Sequence, residues 1–474
     1  MAIFLLCLAL LVLGYFVYGA CLERVFQPDA GRATPAMSMA DGVDYVPMPT
    51  WKIFLIQLLN IAGLGPVFGP ILGALYGPVA LLWIVFGCIL GGGAHDYLSG
   101  MISLRQDGKG LPEIVGDNLG PFFLHLIRVF TVLLMLLVGV VFVLGPAELL
   151  ASLSGVDKGV WIAAIFCYYF LATILPIDKI IGRLYPLFGA VLMFMAVALP
   201  VALVAQGYTL FPHLTLQNLH PKGLPVWPLM FITIACGAIS GFHSTQSPMM
   251  ARCLRNERSG RVAFYGAMLA EGFIALVWAA VGMSFYPGGE ALGASLAKGG
   301  PAFVVNETCT ALLGGFGGVL AILGVVALPI TTGDTAFRAA RLIVADFLRA
   351  PQRRMRNRLF IAVPLFVAGF ICSRSNFELL WRYMSWSNQS LAAIVLWAVA
   401  VYCARRGRNH WVATVPAVFM TAVTNAYILN APIGFGLPMD PAIAWGGASA
   451  VAALAAFLLS QRKGVNAAAS PDNA

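Results

Sequence analysis

Charge is what this chain of 474 residues has least of: Asp, Glu, Lys and Arg make up 10% of it, where soluble domains carry about 25%. Hydrophobic residues supply 60% and the mean hydropathy is +0.86. So little polar surface cannot wrap a water-soluble core of this size. Short chemical signatures are missing too. There is no phosphate-binding glycine loop, no HExxH and no GxSxG, which argues against nucleotide-driven work and against an intramembrane enzyme built on His95, His243 and Asp334. The nine cysteines include no CxxC pair, and their odd number leaves no complete disulfide framework. Cys88, Cys167 and Cys236 lie in apolar runs and read as small hydrophobic filler, with no metal site implied. The opening MAIFLLCLALLVLGYFVYGAC lacks a basic leader, and bulky Tyr18 precedes Gly19-Ala20, so it reads as a retained first helix.

What is present is a series of apolar runs, each long enough to cross a bilayer as a helix. They are continuous, unlike the short alternating segments of a membrane β-barrel. Thirteen are expected, at about 1–22, 51–76, 78–100, 122–144, 158–176, 183–206, 226–250, 262–285, 316–347, 358–373, 376–404, 411–429 and 441–460, with a short helix outside the membrane core at 302–314. The polar tail after Ser460 reads as disordered. The net charge of +9 sits in short loops. With an outward N-terminus, all but five of the 29 basic residues (Lys158, Lys222, Lys298, Arg374 and Arg382) fall inside. That is the positive-inside pattern, with an inward C-terminus. No basic platform interleaved with aromatics points to nucleic acid. The expected partners are the lipid bilayer and a small molecule.

Three spans carry helix breakers or polar runs. In NIAGLGPVFGPILGA, Gly65, Gly69, Gly73 and Gly77 recur every four residues, a close-packing face. Pro66 and Pro70 each remove a backbone donor, and freed carbonyls must be buried or line a cavity. Unwinding is expected over 62–70, placing Gly63, Gly65 and Pro66 at a substrate site. In TIACGAISGFHSTQSPMMARC, Gly237 and Gly241 precede His243, Ser244, Thr245, Gln246 and Ser247. Such a polar run is costly in a span unless it meets water, substrate or itself. An interhelical hydrogen-bond cluster and a substrate site both fit. In VALPITTGDTAFRAARL, Thr331, Thr332, Asp334 and Thr335 form a hard-oxygen set suited to an alkali cation or a proton, or to a self-satisfied cluster. The first two of these spans are five helices apart, hence oppositely oriented. Interrupted helices at matching places in inverted halves point to a secondary transporter with a midplane site.

Other polar groups lie at depth. Glu271, central in its span, is a proton-coupling candidate or a protonated strut. His95-Asp96 closes the third span, either as a proton relay or as an inner anchor with Asp96 orienting His95. Trp386, Asn388 and Gln389 suit a polar organic ligand, with Trp386 also fitting an interfacial belt. Glu148 reads as solvated.

The segments NIAGLGPVFGP, GAHDYLSGMISLRQDG, LPIDKIIGRLYPLFG, ISGFHSTQSPMMARC, LPITTGDTAFRAARL and LLWRYMSWSNQSLA, spread over about 41–407, resemble the carbon starvation protein A (CstA) family. The resemblance implies a compact member of a bacterial inner-membrane family that imports peptides, or pyruvate and similar carboxylates, during starvation. It also implies membership of the amino acid–polyamine–organocation superfamily and an all-α, LeuT-like five-plus-five inverted repeat. The divisions would be 1–50, an extra helix and inner loop; 51–206, the first repeat; 226–404, the second; and 405–474, two accessory helices and a tail. By position, Thr331, Thr332 and Thr335 match the hydroxyls of a sodium site in sodium-coupled relatives, and no other cofactor is implied. Asp334 and Glu271 suit protons equally. A channel or sensor of the same ancestry is the alternative.

Overall fold

The computed structural model describes residues 2–42, 45–174, 181–211, 215–351 and 354–468. Lys179, Arg353 and the last six residues of the tail lie outside them. Among the described residues the chain is helical, with one isolated bridge, Met48 to Leu254, in place of any sheet. In hydrocarbon a helix satisfies every backbone group within its own segment, so long Leu/Val/Ala runs have few other choices.

Nine described helices are long and apolar enough to span a bilayer. A tenth candidate is the pair Thr50–Ile61 and Gly65–Tyr76, bent by 51°. Helices also occupy the other expected positions, among them Lys158–Ile174, where the described part of its span ends, and Ile181–Ala205, while 226–251 is interrupted. One of the nine, Gly289–Leu320, is not straight. Its backbone leaves helical geometry at Gly299, Gly300 and Gly314. Gly300 and Gly314 have φ of 65° and 68°, a region open to glycine at little cost. These breaks isolate 301–313, close to the expected short helix, and the chain then runs on to Phe347.

Helix ends follow ordinary rules. The Asn376 side chain accepts hydrogen bonds from the Glu378 and Leu379 amides at 2.8 and 3.4 Å, capping Phe377–Arg405. Gly120, at φ 100°, turns Leu111–Leu119 sharply into Pro121–Ser154, which starts on proline. The final helix continues to Ala468, so the expected disorder after Ser460 is corrected over 461–468. Its Gln, Arg, Lys and Ala residues are good helix formers and extend the apolar segment before them.

Both interrupted spans are interrupted. The first opens at 62–64, and the helix resumes at Gly65 with Pro66 in its opening turn and Pro70 inside it. The prolines therefore follow the break instead of forming it. An opening-turn amide has no intrahelical partner to lose, so Pro66 fits there without cost. The second span runs helically over 228–233, crosses 234–242 without helix, and resumes as His243–Ala251. Gly237, at φ 87°, makes the turn.

At one end of the bundle the Glu257 carboxylate, 1% exposed, ties several segments together. Arg105 Nε and Nη2 donate to it at 3.1 and 2.9 Å, and the Asp29 amide at 2.7 Å. The same guanidinium donates to the Phe26 and Gln27 carbonyls at 3.3 and 2.6 Å. Breaking a buried ion pair typically costs 3–5 kcal/mol. Because Arg105 keeps its two carbonyls, Glu257→Ala is expected to cost about 2 kcal/mol. Thermal melts in detergent check this; an unchanged midpoint would show the strap to be dispensable.

Candidate functional site

The two breaks pack against each other, and glycine makes that possible. A Cβ on Gly65 would overlap the Cys236 side chain. One on Gly69 would lie 3.1 Å from the Thr233 carbonyl, and one on Gly73 would run into Ile234. A Cβ on Gly237 would come 3.7 Å from Pro66. The four-residue glycine spacing is thus the face on which the first broken span meets the second. Gly63, inside the first break, lies against Phe142 and the Thr332 hydroxyl.

Asn388 fastens the second break. Its backbone carbonyl accepts from the Gly241 amide at 3.1 Å. Its side-chain oxygen accepts from the Phe242 amide at 2.7 Å and the Ser240 hydroxyl at 3.1 Å. Its Nδ2 faces Ser240 Oγ at 2.9 Å and Cys236 Sγ at 3.5 Å. Gln389 Nε2 donates to the Phe231 carbonyl at 2.5 Å, just before the break. These amides therefore serve the unwound backbone directly. Trp386 is placed elsewhere, its indole N–H donating to the Thr424 carbonyl at 3.1 Å on the next helix. Asn388→Ala removes partners from two buried donors at about 1–3 kcal/mol each. Hydrogen exchange at 240–242 is expected to speed up in this variant, while unchanged protection would refute the fastening role.

Most of the polar run after the break satisfies itself. Ser244, Thr245 and Ser247 hydroxyls donate to the Gly241, Phe242 and His243 carbonyls at 2.6, 2.6 and 3.0 Å. Gln246 Nε2 donates to Thr245 Oγ1 at 2.9 Å, but its Oε1 is buried without a partner. Gln57, on the first broken span, reaches Ser247 Oγ at 3.4 Å, and its Oε1 is also unpartnered.

His243 does not join that pattern. Its Nδ1 lies 2.8 Å from Asp96 Oδ2, while His95 Nδ1 lies 2.7 Å from Asp96 Oδ1. An ionised carboxylate only accepts, so both Nδ1 atoms carry their protons. His243 Nε2 then faces Glu271 Oε2 at 3.3 Å. All four residues have 0% exposure. Gly92, packed on the Ala238 carbonyl, and Gly272, packed on Cys88, allow the close approach of the segments involved. Asp96 orients His95 as expected and orients His243 as well. Neither residue closes its helix, which runs on to Arg105, so the inner-end placement is corrected. The sequence put His243 with substrate and His95, Asp96 and Glu271 with coupling; the fold joins all four.

The hydroxyl-rich span carries a second group of buried polar residues. Thr332 Oγ1 donates to the Leu59 carbonyl at 3.3 Å, one turn before the first break. Thr335 Oγ1 donates to the Thr332 carbonyl at 2.8 Å, so its hydroxyl is used within its own helix. Thr331 is buried beside them. Asp334 looks away from the break: its Oδ2 accepts from Tyr168 at 3.2 Å, and its Oδ1 is buried without a hydrogen-bond partner. Glu148 pairs at the surface with Lys158 at 2.5 Å, as a solvated residue should.

Sequence reasoning missed Gln57, Tyr168 and Cys236. An amide in the apolar run 51–61 is itself a signal. A tyrosine or cysteine in such a run is not.

Two interrupted spans packed break on break, flanked by a hydroxyl-bearing helix, define the broken-helix class of polytopic membrane proteins. Solved structures agree on the fold. A mutant of the Eremococcus coleocola manganese transporter superimposes with a TM-score of 0.56 at 15% identity, covering 89% of this chain and 97% of that one. Mhp1, a nucleobase-cation-symport-1 family transporter, does so with 0.52 at 13% identity and the same coverage. The family model for carbon starvation protein CstA matches residues 1–156, 143–290 and 288–426, and the chain belongs to that family. A Haemophilus influenzae membrane protein of uncharacterised role is 46% identical over 62% of this chain and 94% of its own length. The Escherichia coli peptide transporter CstA is 26% identical over 90% of this chain and 81% of its own. The Escherichia coli pyruvate/proton symporter BtsT is 30% identical over 54% and 45% respectively.

Proposed function

We propose that the protein is a secondary active transporter that imports peptides, or pyruvate-like small carboxylates, by alternating access coupled to a proton or sodium gradient. The observation that carries this reading is the break-on-break packing of Gly65 and Pro66 with Cys236 and Gly237. Unwound backbone at depth is tolerated only in protein or against a cavity, and paired breaks in inverted halves are where such proteins bind substrate. Relatives named as peptide and pyruvate transporters support the substrate class. Residues 51–206 and 226–404 serve as the two inverted repeats, in a bacterial inner membrane with a periplasmic N-terminus and cytoplasmic C-terminus. Coupling is assigned to the ninth span. Asp334 takes a proton, or Thr331 and Thr332, beside the carbonyls of the first break, take sodium; Thr335 supports them through the Thr332 carbonyl.

The test uses purified protein in proteoliposomes, with labelled pyruvate and competing dipeptides under imposed gradients. A zwitterionic dipeptide carried with one cation moves net charge, whereas pyruvate carried with one cation moves none. An imposed potential at constant pH therefore accelerates only the former. Uptake indifferent to every gradient and to ionophores would leave a channel or sensor as the reading.

A further inference from the structure

Three ligating groups meet where the second break touches the helix after it. One ligand atom each from Cys236, His243 and Glu271 lies within 4.8 Å of the others. Cys236 is 8% exposed, and the other two are 0% exposed. His243 Nε2 and both Glu271 oxygens make no well-formed hydrogen bond, although the Gly237 backbone lies by Glu271 and the Cys236 thiol by His243. In its neutral form with the proton on Nδ1, held by Asp96, the imidazole turns a lone pair toward a carboxylate. Two acceptors pointed at each other out of reach of water need something positive between them. Their separation is informative. At 3.3 Å it is longer than a good hydrogen bond. For this pair it matches the spacing of roughly 3.3–3.8 Å that bonds of 2.0–2.3 Å impose on neighbouring ligands of a tetrahedral ion, and the set of three lies within 4.8 Å.

We propose that Cys236, His243 and Glu271 bind a resident divalent d-block cation of the zinc class, pinning the second break to Glu257–Ser284. Thiolate and imidazole are soft and borderline donors, which select against sodium, magnesium and calcium. At the ligands themselves one thiolate, one carboxylate and a neutral imidazole offset a dication, and the ionised Asp96 beyond His243 leaves the wider cluster with a single negative charge. Binding releases the Cys236 thiol proton, plus that of Glu271 where it carries one. Asp96, on the far nitrogen of His243, is the outer carboxylate that fixes the tautomer of a metal-bound histidine. His95 steadies Asp96 from the other side. This assignment gives Glu271 a cation to hold in place of either role the sequence offered it, coupling proton or protonated strut. It is independent of the transport reading, because its readout needs no substrate.

The test uses the full-length protein, purified in detergent with a tag that contains no histidine. Elemental analysis is expected to find about one zinc-class ion per chain. X-ray absorption of the wild type should show one sulfur among nitrogen and oxygen neighbours, which needs no variant to fold. After chelator stripping, added Co²⁺ should give a thiolate-to-cobalt charge-transfer band that Cys236→Ser abolishes. Asp96→Asn should retain the band but weaken Co²⁺ affinity by about 10–100-fold. A sulfur-free ion, a band that survives in Cys236→Ser, or a wild type without stoichiometric metal or cobalt band overturns the proposal. A proton shared by His243 and Glu271 would then fill the gap.

Discussion

Asp334→Asn is expected to abolish gradient-driven accumulation while leaving downhill exchange of substrate intact. The carboxylate is 1% exposed, and Tyr168 donates to one of its oxygens at 3.2 Å. Asparagine keeps the shape and can still accept from Tyr168 through its carbonyl, so the fold and the exchange path should survive. It can neither take up a proton nor carry a negative charge. The size of the effect follows from the driving force. Moving one charge through 100 mV is worth about 2.3 kcal/mol, and each 1.4 kcal/mol is a factor of ten. A net-neutral substrate carried with one cation therefore accumulates up to about 40-fold, and the variant should equilibrate near unity. Tracer ratios at an imposed potential measure this. Wild-type accumulation would remove Asp334 from coupling, and loss of exchange in a monodisperse protein would move it to substrate binding.

Gly241→Ala should disable the protein by a single methyl group. The added carbon would run into the Asn388 carbonyl oxygen and lie 2.5 Å from the Ala392 amide nitrogen and 2.7 Å from Leu391 Cβ. The first two are backbone atoms of a neighbouring helix, so no flexible side chain can swing away. Overpacking of this kind costs about 1–3 kcal/mol. Forcing the chains apart also loses the Gly241–Asn388 hydrogen bond, about another 0.5–1.5 kcal/mol. A lowered detergent melting point and at least about a tenfold loss of uptake at equal abundance are expected. Gly447, a helical glycine with open space around it, is the control. Its alanine variant should be neutral or slightly stabilised. Equal behaviour of the two variants would mean that the Asn388 contact does not matter.

Much of the architecture was legible because lipid leaves the backbone so little choice. Apolar length and breaker residues located the bent span and the second break, and Gly65, Gly69 and Gly73 did prove to be a packing face. The prolines misled by a few residues. Their missing amides are harmless in an opening turn, so Pro66 starts a helix where it was expected to stop one. The ionisable cluster was not legible as one object. His95, Asp96, His243 and Glu271 come from three segments, and no local pattern says that they converge. Cys236 carried no sign at all, since a buried cysteine reads as filler until its neighbours are known. Thr332 and Asp334 erred the other way. Two residues apart in sequence, they serve different neighbours, because positions two apart on a helix do not share a face.

The way Asn388 meets the second break has a consequence for recognition. The Gly241 and Phe242 amides are already supplied with acceptors by a neighbouring helix. The protein thus supplies its own acceptors for these two amides of the unwound stretch. On the proposed reading, a substrate arriving there would not have to free these two amides from a helix. Selectivity must then come from contour and from the few groups left wanting a partner, such as the Gln57 and Gln246 carbonyl oxygens, more than from any cost of unwinding.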